Sequence, residues 1–217
     1  ENTLRNLQNY VLDRYCDIGI ATDGDADRLG VIDDKGHYLH ANTILVMLYY
    51  YLLKYRGWRG PVVRNLSTTH VLDKVAESFG QKCYEVPVGF KYISAKMQEA
   101  DAVIGGESSG GLTVRGHING KDGIYAASLL VEMIAVTGKK LSEIAKEIEQ
   151  EYGEIHMVER DYRFTPLRKE QIHKTLMIDK LLPKLPYAIS KVSYLDGRKV
   201  YFQNGGWIIA RFSGTEP

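Results

Sequence analysis

The spacing of apolar positions divides the chain into stretches of different grammar. Leu4, Leu7, Val11 and Tyr15 recur at helical intervals and predict a helix with one apolar face. An apolar strand over 17–22 follows, then Asp23-Gly24-Asp25-Ala26-Asp27-Arg28, a strand over 29–32 and a turn at Asp33-Asp34-Lys35-Gly36. From Asn42, which can cap a helix reaching about residue 56, helices and short strands alternate. Strands are expected over 61–66, 82–86 and 101–104. Helices are expected from a Ser67 or Thr68 cap to Phe79, over 89–100, over 121–136, and from Ser142 to a stop before Gly153; Gly80 and Gly138 are natural terminators. This alternation argues for a parallel sheet covered on both faces. Beyond Gly153 the pattern changes again. Residues 155–164 read as a strand, and Pro166 opens a helix to about residue 182, which Pro183 and Pro186 break. Segments 189–194, 199–202 and 207–212, joined by Asp196-Gly197 and Asn204-Gly205-Gly206, predict a three-stranded meander.

Composition narrows the class without choosing a function. The 217 residues are 44% hydrophobic and 25% charged, as in ordinary globular chains, which excludes disorder or a fibrous repeat as a description of the whole. A net charge of +1 provides no global field for nucleic acid or anionic membrane, so neither is an expected partner. The longest apolar stretch, 43–53, is too short to span a bilayer, and its tyrosines Tyr49, Tyr50 and Tyr51 are expected in the core or an interface. Cys16 and Cys83 lack metal or redox spacing and read as buried free thiols of a reducing, cytoplasmic protein. The missing initiator Met and an end at Ser-Gly-Thr-Glu-Pro lead to the expectation of a piece of a longer chain.

Three loops carry candidate chemistry. Asp23, Asp25 and Asp27 alternate, so that in an extended loop their carboxylates can point the same way and converge on a hard cation. An EF-hand would need Gly where Arg28 stands, and three carboxylates suit Mg²⁺, which keeps positions open for water or phosphate oxygen. The second loop, Gly105-Gly106-Glu107-Ser108-Ser109-Gly110-Gly111, follows a strand, where open α/β sheets bind ligands. Glu107 can accept from sugar hydroxyls and Ser109 can donate and accept, while the missing Gly-Lys-Ser/Thr rules out a Walker loop. The third, Arg211-Phe212-Ser213-Gly214-Thr215, offers a guanidinium fork, two hydroxyls and exposed backbone N–H groups to an anion. Lys91, after Pro87-Val88-Gly89-Phe90, opposes a helix dipole unless it serves a ligand. His117, with Lys121 and Asp122, reads equally as a substrate contact or a helix-capping cluster, and His70 reads as structural.

In this order and on these element types, the loops resemble the α-D-phosphohexomutase superfamily, which includes phosphoglucomutase and phosphomannomutase. The resemblance rests on Asp23, Asp25, Asp27 and Arg28; on Gly89-Phe90-Lys91; on Gly106, Glu107, Ser109 and Gly110; on 117–123; and on Arg211, Ser213, Gly214 and Thr215. It implies an α/β fold with a mixed sheet flanked by helices at 41–154, the family's third, sugar-binding domain. Residues 1–40 would end the second domain with its metal loop. Residues 155–217 would form a partial, phosphate-binding α+β domain resembling the TATA-box-binding protein. The implied activity interconverts hexose 1-phosphate and hexose 6-phosphate, of glucose or mannose, through a phosphoserine and a bisphosphorylated intermediate. The aspartates would hold Mg²⁺. Glu107, Ser109, Lys91 and His117 would meet the sugar, and the 211–215 loop its phosphate. Lys91 and Arg28 are the catalytic candidates. The family's phosphoryl-carrying Ser-His-Asn-Pro loop does not occur here, so the 217 residues alone are expected to be inactive. The rival readings are a non-catalytic sugar-phosphate- or Mg²⁺-binding module and a haloacid-dehalogenase-type phosphatase, the latter disfavoured because Asp27 stands where that family expects Thr or Val.

Overall fold

The structure is a computed structural model that describes residues 2–212. The chain divides into two compact units, Glu1–His156 and Met157–Pro217.

In the first unit a single 3-10 turn leads into α1 (Arg5–Arg14). Strands β1 (Gly19–Thr22), β2 (Leu29–Ile32) and β3 (Tyr38–Leu39) form an antiparallel sheet in that order, with Gly19 opposite Ile32 and Val31 opposite Leu39. Val11 is buried in α1, whereas Tyr15 leaves the apolar face: it takes a left-handed backbone (φ 53°) at the helix end and is 93% exposed. The short β3 carries no apolar alternation by which to anticipate it.

The main sheet runs β5-β4-β6-β7, from β4 (Val62–Asn65), β5 (Cys83–Val86), β6 (Ile104–Gly106) and β7 (Leu112–Val114). Strand β4 is parallel to both β5 and β6, and β7 returns antiparallel to β6, so the sheet is mixed. The strand expected at 101–104 therefore begins later and runs into the glycines, because Gly105 and Gly106 pair with Thr113 and Leu112. Val62 and Val63 face opposite sides, as strand periodicity requires. Val63 packs with Val86, Ile93 and Met97 under α4 (Phe90–Ala100). Gly105 makes that close approach possible, since a Cβ there would stand 2.5 Å from Met97 Sδ. Val62 belongs to the large core on the other face, built with α2 (Ala41–Lys54), α3 (Val71–Ser78), α5 (Gly123–Thr137) and α6 (Leu141–Tyr152). Tyr49, Tyr50 and Tyr51 are all buried there.

Several helix starts differ from the expected ones. His40, not Asn42, caps α2, its Nδ1 accepting from the Asn42 N–H; Asn42 is buried within the first turn, where its Oδ1 accepts from Thr69 N–H. Ser67 and Thr68 turn toward Asn65, and α3 starts at Val71 with Thr69 Oγ1 accepting from the Val71 N–H. Asp122 caps α5, which starts at Gly123, two residues after the expected start. Ser142 lies inside α6, donating to Asp34, while Glu143 accepts from the Lys140 N–H. Cys16 and Cys83 are free but half-buried rather than buried. No helix among the described residues is long and apolar enough to cross a membrane.

The segment 155–164, which begins at the end of the first unit and runs into the second, forms no strand among the described residues, for it finds no partner ladder. Thr165 caps α7 (Pro166–His173), which continues as one π turn and stops at Ile178, short of the expected residue 182. The meander is present as β8 (Ile189–Ser193), β9 (Arg198–Phe202) and β10 (Trp207–Ala210), ordered β10-β9-β8. Buried Arg198 donates to the carbonyls of Leu176, Lys180 and Leu181, which satisfies acceptors at the end of the helical segment.

Candidate functional site

The acidic loop joins β1 to β2 and is a turn rather than an extended segment. The Ala26 N–H donates to Asp23 O at 3.1 Å, and Ala26 has a left-handed backbone with φ 56°, a conformation that costs a non-glycine residue energy. This curl, not extended alternation, brings the carboxylates together: one oxygen each from Asp23, Asp25 and Asp27 lies within 4.8 Å of the others. Asp23 and Asp25 are exposed and Asp27 half-buried. The all-oxygen donor set, open on one side, fits a hard divalent cation such as Mg²⁺. Its charge is already partly balanced. Arg28 Nε lies 3.5 Å from Asp27 and 3.9 Å from Asp23, and the Lys121 ammonium is paired with Asp27. The hydrogen bond from Lys121 is the main reason that the Asp27 carboxyl is held below its ordinary pKa.

The segment carrying Lys121 is locked onto this loop. Gly123 N–H donates to Ala26 O at 2.9 Å, and a Cβ on Gly123 would stand 2.8 Å from Arg28 O, so only glycine permits the contact. His117 stacks on Tyr125 with ring centroids 3.9 Å apart, and its Nε2 lies 2.7 Å from Asp122 Oδ2. Asp122 Oδ1 accepts from Tyr125 N–H; that bond, followed by the one with His117, lowers the Asp122 pKa. His117 thus belongs to the cluster that caps α5, beside the acidic loop.

The glycine-rich segment is the hairpin loop between β6 and β7, closed by Glu107 N–H to Gly111 O at 3.0 Å. It meets the acidic loop: a Cβ on Gly110 would lie 3.6 Å from Leu29 O and 3.7 Å from Arg28 Cβ. Glu107 is only 9% exposed. Its Oε1 accepts from Asn65 Nδ2 at 3.0 Å and from Gly89 N–H at 3.2 Å, which draws the end of β4 and the start of α4 to the same place. Ser108 Oγ lies 3.2 Å from Ser67 Oγ, and Ser109 is exposed. Lys91, in the first turn of α4, is exposed, with its ammonium 4.9 Å from the Tyr92 ring centroid.

Four segments of the first unit therefore converge: 23–28, 87–91, 107–111 and 117–123. In the second unit Arg211 Nε donates to Asp196 Oδ2 at 3.0 Å. Ser213, Gly214 and Thr215 lie outside the described residues. Sequence reasoning missed Asn65 as the partner of Glu107 and Lys121 as the counter-ion of Asp27. The Asn65-Leu66-Ser67-Thr68 run carried a local signal for the first, since Asn before Ser and Thr favours an Asx turn. Lys121 carried none, because its pairing depends on two loops far apart in the chain meeting in space.

Comparison with known proteins shows the family. A family model described as phosphoglucomutase/phosphomannomutase, alpha/beta/alpha domain III, covers residues 40–152, just over half of the chain. The "Phosphoglucomutase/phosphomannomutase" of Thermococcus kodakarensis is 29% identical over 217 residues, 100% of this chain and 45% of that protein. The "Probable phosphoglucosamine mutase" of Methanosarcina barkeri is 32% identical over 216 residues, 100% of this chain and 46% of that protein. A crystal structure of a "putative phosphomannomutase" from Thermus thermophilus superimposes with a TM-score of 0.79 at 32% identity, over 97% of this chain and 44% of that one. The chain spans about half the length of the relatives it matches. On a domain match over more than half of its length and a superposition over nearly all of it, the chain belongs to the phosphoglucomutase/phosphomannomutase family of the α-D-phosphohexomutase superfamily.

Proposed function

We propose that the full-length protein interconverts hexose 1-phosphate and hexose 6-phosphate, passing the phosphoryl group through a phosphoserine and a bisphosphorylated sugar. The supporting observation is the meeting of a loop with three clustered carboxylates and a hairpin that holds a buried carboxylate. Phosphoryl transfer demands charge neutralisation and in-line placement, and these two loops supply the groups for each. Asp23, Asp25 and Asp27 would hold Mg²⁺, which when bound supplies charge neutralisation next to the phosphoserine. Glu107 and Ser109 would hold hydroxyls common to both orientations of the sugar. Lys91 and Arg28 are assigned to the region of the transferring phosphoryl group, and His117 to the sugar. Arg211, Ser213, Gly214 and Thr215 would bind the phosphate that is not reacting. In this reading 1–40 ends a second domain, 41–154 is the third and 155–217 belongs to a TATA-box-binding-protein-like fourth. The serine would lie in the part of the relatives' length that the 217 residues do not span.

The names of the relatives set the substrates to try. Turnover by the full-length protein is to be measured with glucose 1-phosphate, mannose 1-phosphate and glucosamine 1-phosphate in parallel, with Mg²⁺ added or chelated. Mg²⁺-dependent conversion of at least one is expected. No conversion of any, with Mn²⁺ and sugar phosphate still bound, would instead favour the non-catalytic binding module. Asp25→Ala should weaken Mn²⁺ binding by about tenfold or more, an estimate for one lost carboxylate of three, and unchanged binding would remove Asp25 from the ligand set.

A further inference from the structure

Glu107 is a buried acceptor, and a second buried side chain hydrogen-bonds to its carboxylate. Asn65, at the end of β4, is 2% exposed. Its Oδ1 accepts from Ser67 N–H at 3.0 Å, Ser67 Oγ at 2.9 Å and Thr68 Oγ1 at 2.7 Å. A backbone N–H can only donate, so these contacts define which end of the amide is oxygen. The other end, Nδ2, then faces Glu107 and donates to its Oε1 at 3.0 Å. Gly89 N–H, at the start of α4, reaches the same Oε1 at 3.2 Å. Both internal donors thus fall on one oxygen. Among the described residues none hydrogen-bonds to Oε2.

We propose that Asn65 is a positioning residue: it pins Oε1 of Glu107 from the β4 side and leaves Oε2 as the acceptor offered to a sugar hydroxyl. The proposal rests on the reading of Glu107 as a sugar contact. Its physical content is triangulation. With donors from two different elements the carboxylate has one orientation; with Gly89 alone it can swing about a single hydrogen bond. A misplacement near 1 Å costs on the order of 10²-fold in rate, and with the Gly89 bond retained the loss should be about tenfold.

The test uses the full-length protein with glucose 1-phosphate or whichever of the three sugars it turns over. Asn65→Ala should lower kcat about tenfold and shift KM by less than about threefold, the signature of lost orientation. Asn65→Asp is isosteric and keeps an acceptor for Ser67 and Thr68, yet sets a carboxylate against Glu107. It should therefore be the more damaging variant, whereas a merely structural role makes it the milder one. The double variant Asn65→Ala/Glu107→Ala should be no slower than Glu107→Ala, and Asn65→Asp should cost nothing further in the Glu107→Ala background. That last pair carries the test if Asn65→Ala fails to fold, which thermal melting would reveal. Multiplying losses, or Asn65→Ala at parental kcat while Glu107→Ala is impaired, would overturn the role of Asn65 alone. Parental kcat in Glu107→Ala would overturn the sugar reading itself, and Asn65 with it.

Discussion

Arg64 offers a demanding test of what holds the site in place, because it is a buried charge one residue before Asn65. Its side chain is 4% exposed. The guanidinium donates through Nε and Nη2 to Asp73 at 2.8 and 3.1 Å, and through Nη1 to Glu85 at 2.6 Å. Asp73 sits on α3, and Glu85 stands opposite Arg64 on β5, so one side chain ties the helix and two strands together. Arg64→Met keeps the length of the apolar stem and removes the charge. Breaking a buried ion pair by deleting one partner costs about 3–5 kcal/mol. Here the Asp73 side chain is 43% exposed and that of Glu85 22%, so water can partly replace the lost donors; the low end, about 3 kcal/mol, is expected. Arg64→Lys retains a charge but not the fork and should cost about half of that. Asp73→Asn, which alters the exposed end of the network, should cost under about 1 kcal/mol. The assay is urea unfolding followed by fluorescence of half-buried Trp58 in the first unit, with Trp207→Phe in every variant to silence the second. With a slope near 2 kcal/mol per molar urea, Arg64→Met should lower the midpoint by about 1.5 M. A loss below about 1 kcal/mol, or Arg64→Lys as stable as the parent, would refute the view that this network anchors the end of β4.

Glu147 accepts from Lys54 at 2.8 Å and Tyr50 at 2.9 Å and is also paired with Lys139; the bonds from Lys139 and then Lys54 hold its carboxyl down at about 2. A folded-state pKa below the unfolded value stabilises fully above about pH 4.5 and is lost as the pH falls toward 2, so Glu147→Gln should cost on the order of 1 kcal/mol at pH 7 and flatten the acid limb of a melting-temperature profile between about pH 5 and 2. Although Cys83 as a residue is only half-buried, desolvation of its thiol pushes the pKa up to about 12, so iodoacetamide at about pH 8 should label Cys83 only under denaturing conditions, with mass spectrometry of peptides as the check. Gly105→Ala would drive a Cβ against Met97 Sδ and Ile93 Cγ2, at 2.5 and 2.6 Å, and should destabilise by about 1–2 kcal/mol in the same urea assay; a neutral result would show that α4 yields freely.

What the sequence determined by itself was local chemistry and periodicity. The alternation of helix and strand from α2 to α6 was legible because each element buries a face and repeats it at its own period. The three meander strands were legible because Asp196-Gly197 and Asn204-Gly205-Gly206 are turn residues in their own right. The three aspartates, Glu107 and the Arg211 loop could be picked out as donors and acceptors for the same reason: the residue types announce what they can bind. Tertiary structure decided everything that depended on a partner from elsewhere in the chain. It chose His40 over Asn42 as the cap of α2, since Thr69 claims Asn42, and it extended β6 through two glycines because β7 returns beside it and α4 must approach. It left 155–164 without a ladder, since an apolar alternation becomes a strand only when another edge is there to pair with it. Lys121 on Asp27 and Asn65 on Glu107 belong to the same class. A carboxylate's identity is written at one position, but its orientation and its counter-charge come from donors dozens of residues away, and only the folded chain brings them within hydrogen-bonding distance.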